Sequence, residues 1–190
     1  MPGHKIFNEK DDNGRWWKFN EQNRDCSCGP ASVKIVKEYF HNTSIGEDAI
    51  RGLLGSIINP IEDRSLLEAD IDTCAIWDRD GTIENVVLSA LHKNPYPITQ
   101  AKMVQGIDPL RKCSRNHPSI LGFNWDGGGG HFVVCVGPVT AVSDRFVILD
   151  PWFGLQYLEW TPAHGDELIY TPKGEATKST IDNAGYIVTT

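Results

Sequence analysis

The chain has 190 residues, of which 40% are hydrophobic and 23% charged, and this is the composition of an ordinary globular protein of one domain. A net charge of -7 and a pI of about 5.3 argue against a general nucleic-acid-binding protein, which needs clustered Lys and Arg. No apolar stretch approaches the roughly 20 residues that span a bilayer. Residues 1–10 lack the apolar core of a secretory signal. The sequence therefore predicts one domain over residues 1–190, made in the cytoplasm, with no nucleic-acid partner and no membrane span.

The first half of the chain carries helical periodicity. Apolar residues recur at helical spacing after Cys28, which predicts a helix over residues 29–41. Further helices are predicted over residues 44–55, 61–71 and 83–93. Thr82 is the expected N-cap of the last of these helices.

Beyond residue 117 the pattern changes to that of strands. Four short segments are rich in β-branched or aromatic residues and are separated by turn residues, namely 119–125, 131–137, 145–150 and 155–160. Residues 185–190 are expected to close the sheet as a last strand. We therefore expect an α+β fold, with helices from about residue 20 to 116 packed on a mainly antiparallel sheet from about 117 to 190.

The five cysteines do not form the pattern of a disulfide scaffold. They stand at positions 26, 28, 74, 113 and 135. We expect reduced thiols in a cytosolic setting. Cys135 is expected to be buried in an apolar strand, and Cys74 and Cys113 receive no role.

Cys28 stands at the predicted start of the first helix. A thiolate is the reactive form of cysteine, and a helix N-terminus presents unpaired N–H groups and a positive dipole end to it. Gly29 and Pro30 follow directly, and proline is tolerated in the first helical turn. Cys28 is therefore a candidate nucleophile that a neighbouring imidazolium would activate. Cys26 is the competing candidate.

An alternative interpretation of Cys26 and Cys28 is a metal site, with His131 or Cys135 as further ligands. Structural zinc sites usually have a pair of closely spaced ligands in each half, and the sequence offers no second pair of this kind. We therefore predict neither a metal nor another cofactor.

His131 opens one predicted strand, and Asp150 closes the next. Alone, a histidine beside apolar residues is more often structural, and Asp-Pro commonly ends a strand. An antiparallel hairpin that turns near residues 141–144 would bring both residues to the same side of the sheet. Asp150 could then accept a hydrogen bond from the imidazole and fix its tautomer, as the third member of a catalytic triad does. The two motifs together favour a catalytic role.

These segments resemble the papain-like cysteine peptidases, and most closely the bacterial peptidases that remove double-glycine leaders from bacteriocins. The resemblance lies in Cys-Gly-Pro-Ala-Ser from Cys28, His-Phe-Val-Val from His131 and Asp-Pro-Trp-Phe-Gly from Asp150. It implies the papain-like fold, with Cys28 as nucleophile, His131 as general base and Asp150 as its partner. Gln22 matches the glutamine of the family's oxyanion hole, which stands six residues before the nucleophile. Measured to Cys26 the step is only four residues, so the match favours Cys28.

The resemblance implies acyl transfer from a protein or peptide substrate. A peptide bond as target makes the enzyme a protease. A glutamine side chain as target makes it a deamidase, or a transglutaminase if an amine replaces water. A non-catalytic or metal-binding module is a further alternative, but the presence of all four site residues argues against a decayed site. Free-standing bacterial members of such families are often effectors or toxins, which implies delivery to another cell without a Sec signal. The sequence does not indicate whether an inhibitor or immunity protein binds the chain.

Overall fold

The computed structural model describes residues 5–23, 26–58, 84–126, 128–141, 143–161, 168–174, 179–181 and 186–189. Its helices are α1 (Cys28–His41), α2 (Glu47–Ile58), α3 (Glu84–His92) and α4 (Asp108–Arg111). Its strands are β1 (Ile6–Lys10), β2 (Trp16–Asn20), β3 (Lys102–Val104), β4 (Ser119–Trp125), β5 (Gly130–Pro138), β6 (Arg145–Asp150), β7 (Gly154–Glu159), β8 (Ile169–Tyr170), β9 (Ser179–Ile181) and β10 (Tyr186–Val188).

A hairpin formed by β1 and β2 precedes the helices, and the sequence analysis did not predict it. The strands are antiparallel, with Phe7 opposite Phe19. Phe7, Trp17 and Phe19 share the buried face of the hairpin. The Asp11 carboxylate fixes the turn, because it accepts a hydrogen bond of 2.9 Å from the indole N–H of Trp17. The hairpin therefore contributes apolar side chains to the core rather than lying apart from it.

The helices agree with the sequence predictions at α1 and α3 and differ at α2. α1 begins at Cys28, one residue before the predicted start. α2 begins at Glu47, three residues later than predicted, because Glu47 and Asp48 supply the acidic first turn that the helix dipole favours. The helix predicted over residues 61–71 and the Thr82 cap lie outside the described residues. Among the helices that the structure describes, none is long and apolar enough to cross a membrane.

The main sheet has the strand order β3-β10-β4-β5-β6-β7, and these neighbours all pair antiparallel. β9 also pairs with β4, and β8 pairs with β9. The prediction of an α+β fold with a mainly antiparallel sheet is confirmed. The last strand, β10, does not close the sheet, because β3 pairs with its other side. β3 lies within the stretch 20–116 that was predicted to be helical, which corrects that boundary.

The central strands of this sheet are buried on both faces. Along β5, Phe132, Val134 and Val136 pack against the helices and the β1–β2 hairpin, whereas Val133 and Cys135 face a second apolar cluster. This alternation is the period of two that a strand imposes on its side chains. Cys135 is fully buried, as the sequence predicted.

Candidate active site

Cys28 is the first residue of α1, is half-buried and is a free cysteine. One turn further along the helix, the Ser32 hydroxyl donates a hydrogen bond of 3.0 Å to the carbonyl oxygen of Phe132. This bond fixes the start of α1 against β5, directly after His131. The position of Cys28 at the opening of a helix agrees with the sequence prediction.

Cys26 is disulfide-bonded, which corrects the expectation that the cysteines are reduced. Its sulfur is therefore not available as a nucleophile or as a thiolate ligand, and the metal interpretation of Cys26 and Cys28 does not hold in this state. Among the residues that the structure describes, no group of three or more His, Cys, Asp or Glu side chains is placed to hold a metal ion. Cys113 and Cys135 are free and buried, and Cys74 lies outside the described residues.

The hairpin of β5 and β6 brings His131 and Asp150 into contact, as the sequence predicted. The Nε2 atom of His131 lies 3.0 Å from each carboxylate oxygen of Asp150. His131 is 2% exposed and Asp150 is fully buried, so water does not compete for this hydrogen bond. The pair is thus held in the low-dielectric interior of the protein, where a charged hydrogen bond is strong.

Three further hydrogen bonds from described residues hold the Asp150 carboxylate in place. The backbone N–H groups of Trp152 and Phe153 donate to its Oδ1 atom at 2.7 and 3.0 Å. The Tyr170 hydroxyl donates to its Oδ2 atom at 2.6 Å. These donors satisfy a carboxylate that would otherwise be costly to bury, and they fix the oxygens that face His131.

Tyr170 is the site residue that the sequence analysis missed. It lies in β8, which has only two residues, and its fully buried ring packs against Phe123 with ring centroids 5.0 Å apart. The only signal in the sequence is an Ile-Tyr pair after Leu168. A pair of apolar residues does not indicate which carboxylate its hydroxyl will reach, because that contact depends on tertiary packing.

The surroundings of His131 favour its charged form. Burial alone would lower the pKa of the imidazole, whereas the charge of Asp150 and its hydrogen bond raise it. A hydrogen bond with the Cys28 side chain and the charge of Cys28 act in the same direction, and the pKa of His131 rises to about 10. The ring therefore carries a proton at neutral pH, next to the Cys28 sulfur.

In the described part of the chain, three aromatic rings surround the His131 imidazole. The Trp125 ring stacks on it at a centroid distance of 5.5 Å. Trp152 and Phe153 present their rings at steep angles, at 6.3 and 6.2 Å. The Trp152 ring covers one side of the imidazole. Because Trp152 is 45% exposed, it also forms part of the protein surface there.

Backbone hydrogen bonds attach the segment before α1 to the rest of the fold. The backbone N–H of Gln22 donates a hydrogen bond of 2.8 Å to the carbonyl oxygen of Pro151. The backbone N–H of Asn23 donates to the Glu47 carboxylate of α2. The structure thus brings Cys28, His131 and Asp150 together and fixes the backbone of Gln22 to the turn that follows Asp150.

Neither a protein-family model nor a curated protein sequence matches the chain. Among solved structures, the chain is similar to the crystal structure of the Pseudomonas avirulence protein AvrPphB. The alignment covers 87% of this chain and 93% of that chain, with 11% identity and a TM-score of 0.33. A likeness at this level carries no argument about activity, and no family match supports the narrower resemblance to double-glycine leader peptidases. The case for a function therefore comes from the contacts within the site.

Proposed function

We propose that the chain is a papain-like cysteine hydrolase that cleaves peptide bonds in a protein or peptide substrate. The observation that carries this proposal is the chain of contacts from Cys28 to His131 to Asp150. Cys28 is free and opens a helix, His131 is held in its charged form, and Asp150 is buried with four hydrogen-bond donors. A thiol beside an imidazolium is the arrangement that activates a cysteine nucleophile.

In the proposed mechanism the Cys28 thiolate attacks the carbonyl carbon of the scissile amide, and the carbonyl oxygen becomes an oxyanion. The backbone N–H of Cys28 and the side-chain amide of Gln22 stabilise that oxyanion. His131 donates its proton to the leaving nitrogen, the C–N bond breaks, and a thioester to Cys28 remains. Neutral His131 then takes a proton from water, the hydroxide attacks the thioester, and Cys28 is released as thiolate.

Asp150 orients His131 in both steps. It accepts from Nε2, which leaves the other ring nitrogen to exchange its proton with sulfur and substrate. It also stabilises the imidazolium that must persist until the amine leaves. From the resemblance of the motifs alone, we place this activity in an effector or toxin that acts on proteins of another cell.

The proposal is tested by mass spectrometry of a complex cell lysate incubated with wild type and, in parallel, with Cys28→Ala. New peptide N-termini that only wild type produces are the expected result, and they also give the cleavage motif. Conversion of glutamines to glutamates or to amine adducts, without new N-termini, would replace the protease assignment by a deamidase or transglutaminase. Identical lysates would contradict the proposal.

A further inference from the structure

A buried polar cluster on α2 contacts the segment that precedes α1. Glu47 is 4% exposed and Arg51, one helical turn further on, is 1% exposed. Both carboxylate oxygens of Glu47 accept from the backbone N–H of Asn23, at 3.0 and 3.3 Å. The Ser27 hydroxyl hydrogen-bonds to Glu47 and accepts a hydrogen bond from the guanidinium of Arg51. Two residues of this segment are therefore held by one pair of charged side chains.

Ser27 has a different partner from the one expected at its position. It is the N-cap residue of α1, yet its side chain makes no capping hydrogen bond. A serine N-cap usually accepts from the backbone N–H of the second or third helical residue. Pro30 is the third residue of α1 and has no N–H. The Ser27 hydroxyl instead bonds to Glu47 and Arg51 of α2, so it does not cap the start of α1.

The helix dipole favours an acid at Glu47 in the first turn of α2, but it does not require that Glu47 and Arg51 be buried. Removing two charges from water carries a desolvation cost, and an apolar pair of similar volume often serves a core equally well. Burial raises the pKa of Glu47, although the hydrogen bonds from Asn23 and Ser27 oppose this effect. A pair with this cost is better explained by the conformation that it imposes on Asn23 and Ser27.

We propose that Glu47 and Arg51 are positioning residues for the oxyanion hole. By holding Asn23 and Ser27, they fix the neighbours of the two proposed oxyanion donors, the Gln22 amide and the Cys28 N–H. This inference rests on the proposed function, because it assigns the segment a role in the same acyl transfer. Neither residue touches the reacting atoms, so the effect acts only through the backbone that they hold.

The test compares two reactions of Cys28 that need no natural substrate. With p-nitrophenyl acetate, the thiolate attacks the acetyl carbon through an oxyanion, p-nitrophenolate leaves, and an acetyl thioester forms. With iodoacetamide, the sulfur displaces iodide from a saturated carbon, and no oxyanion arises. The rates measured on Cys28→Ala are subtracted, because they give the contribution of the other thiols. The ratio of acylation to alkylation therefore reports the oxyanion hole separately from the reactivity of the thiol.

Glu47→Ala is expected to lower the acylation rate by about tenfold or more, while the alkylation rate stays within about twofold of wild type. Glu47→Gln retains an acceptor for the Asn23 N–H and should recover part of the loss. Ser27→Ala should lower the ratio in the same direction. Asp48→Ala, which removes the exposed acid next to Glu47, is the matched control and should leave both rates unchanged.

An unchanged ratio in Glu47→Ala and Ser27→Ala would overturn the inference, and so would a parallel fall of both rates, which would indicate general loss of structure. Thermal unfolding of each variant identifies any that do not fold, and Glu47→Gln and Ser27→Ala then decide the question.

The inference and the proposed function can fail separately. Unchanged ratios alongside wild-type cleavage of lysate proteins would overturn only the positioning role. Lowered ratios alongside identical lysates would overturn only the assignment as a protease.

Discussion

The backbone N–H of Gln22 donates a hydrogen bond of 2.8 Å to the carbonyl oxygen of Pro151. This bond joins the two parts of the sequence that carry the motifs, the segment before α1 and the turn after β6. Pro151 directly follows Asp150, so the proposed oxyanion donor and the orienting carboxylate share one backbone connection. A change at either end is therefore expected to affect the other.

Asp150→Asn is expected to lower kcat by at least about tenfold, because it removes the charge that holds the His131 imidazolium. A lower pKa of His131 should also move the basic limb of the pH–rate profile to lower pH. The measurement is kcat against pH on a peptide that wild type cleaves. Asp126→Asn, at an exposed aspartate in the turn after β4, is the control and should leave the profile unchanged.

The His131–Asp150 pair makes the free energy of unfolding depend on pH. The pKa of His131 is raised from 6.5 to about 10 in the folded state, so the folded protein binds more protons than the unfolded chain in this interval. The stabilisation is fully present below about pH 6.5 and is lost as the pH rises toward 10. The difference in free energy of unfolding between wild type and Asp150→Asn, from urea titrations, should therefore shrink as the pH rises. A difference that grew with pH would contradict this account.

Tyr170→Phe is expected to lower kcat several-fold with little change in KM, because the fully buried hydroxyl donates to Asp150 and would act only through that carboxylate. The lost hydrogen bond to a charged group should also lower the free energy of unfolding by about 1–2 kcal/mol. Tyr186→Phe is the matched control, since Tyr186 packs in the same apolar cluster and is not among the donors to Asp150. Equal kcat values for the two variants would show that the Tyr170 hydroxyl does not contribute to catalysis.

Gly154→Ala is expected to lower the free energy of unfolding by about 1–3 kcal/mol. Gly154 has a φ of +82°, and a Cβ there would lie 2.8 Å from the Glu9 carboxylate and 3.1 Å from the Phe7 ring. Gly174→Ala separates the two effects, because Gly174 has a φ of +93° and open space around it. Urea unfolding should show a larger loss at Gly154. Equal losses would mean that the packing of β1 against this turn contributes nothing.

Lys37→Met is expected to lower the free energy of unfolding by about 2–4 kcal/mol, because the carbonyl oxygens around the ammonium lose their shared charged donor. Lys37 is fully buried, and its ammonium nitrogen lies 2.7 to 3.3 Å from the carbonyl oxygens of Leu91, Lys93, Pro95 and Tyr96, which share its three N–H donors. Burial lowers its pKa to about 8, so it still carries its proton at pH 7. Lys93→Met replaces an exposed lysine of the same loop and should change stability little. If Lys37→Met left the free energy of unfolding unchanged, the loop after α3 would not depend on this contact.

The sequence predicted those parts of the fold whose periodicity is local. Helix α1 and strands β4 to β7 were found because their apolar residues repeat over many positions. The β1–β2 hairpin was missed, although Asn13-Gly14 is a turn signal, because its strands have five residues each and the adjacent apolar pairs Ile6-Phe7 and Trp16-Trp17 obscure the alternation of a strand. The helical prediction failed at β3 because three residues are too few to show a period.

The candidate site was predicted to the extent that its residues stand in motifs. Cys28, His131 and Asp150 lie at element ends that the sequence indicates, and the hairpin register brings the last two together. The contacts of Tyr170 and Glu47 could not be predicted, because each joins elements that are distant in the chain. The disulfide at Cys26 was also missed, since its formation depends on spatial proximity that the spacing of cysteines does not reveal.

The central claim is that His131 activates Cys28, and the most direct test is the rate of Cys28 alkylation by iodoacetamide at pH 6 in wild type and His131→Ala. Peptide mapping by mass spectrometry assigns the modified cysteine, and thermal unfolding confirms that the variant is folded. We predict that wild type is alkylated at Cys28 at least about tenfold faster, because only wild type holds an imidazolium beside the sulfur. Equal rates in the two folded proteins would contradict the ion pair and, with it, the proposed mechanism.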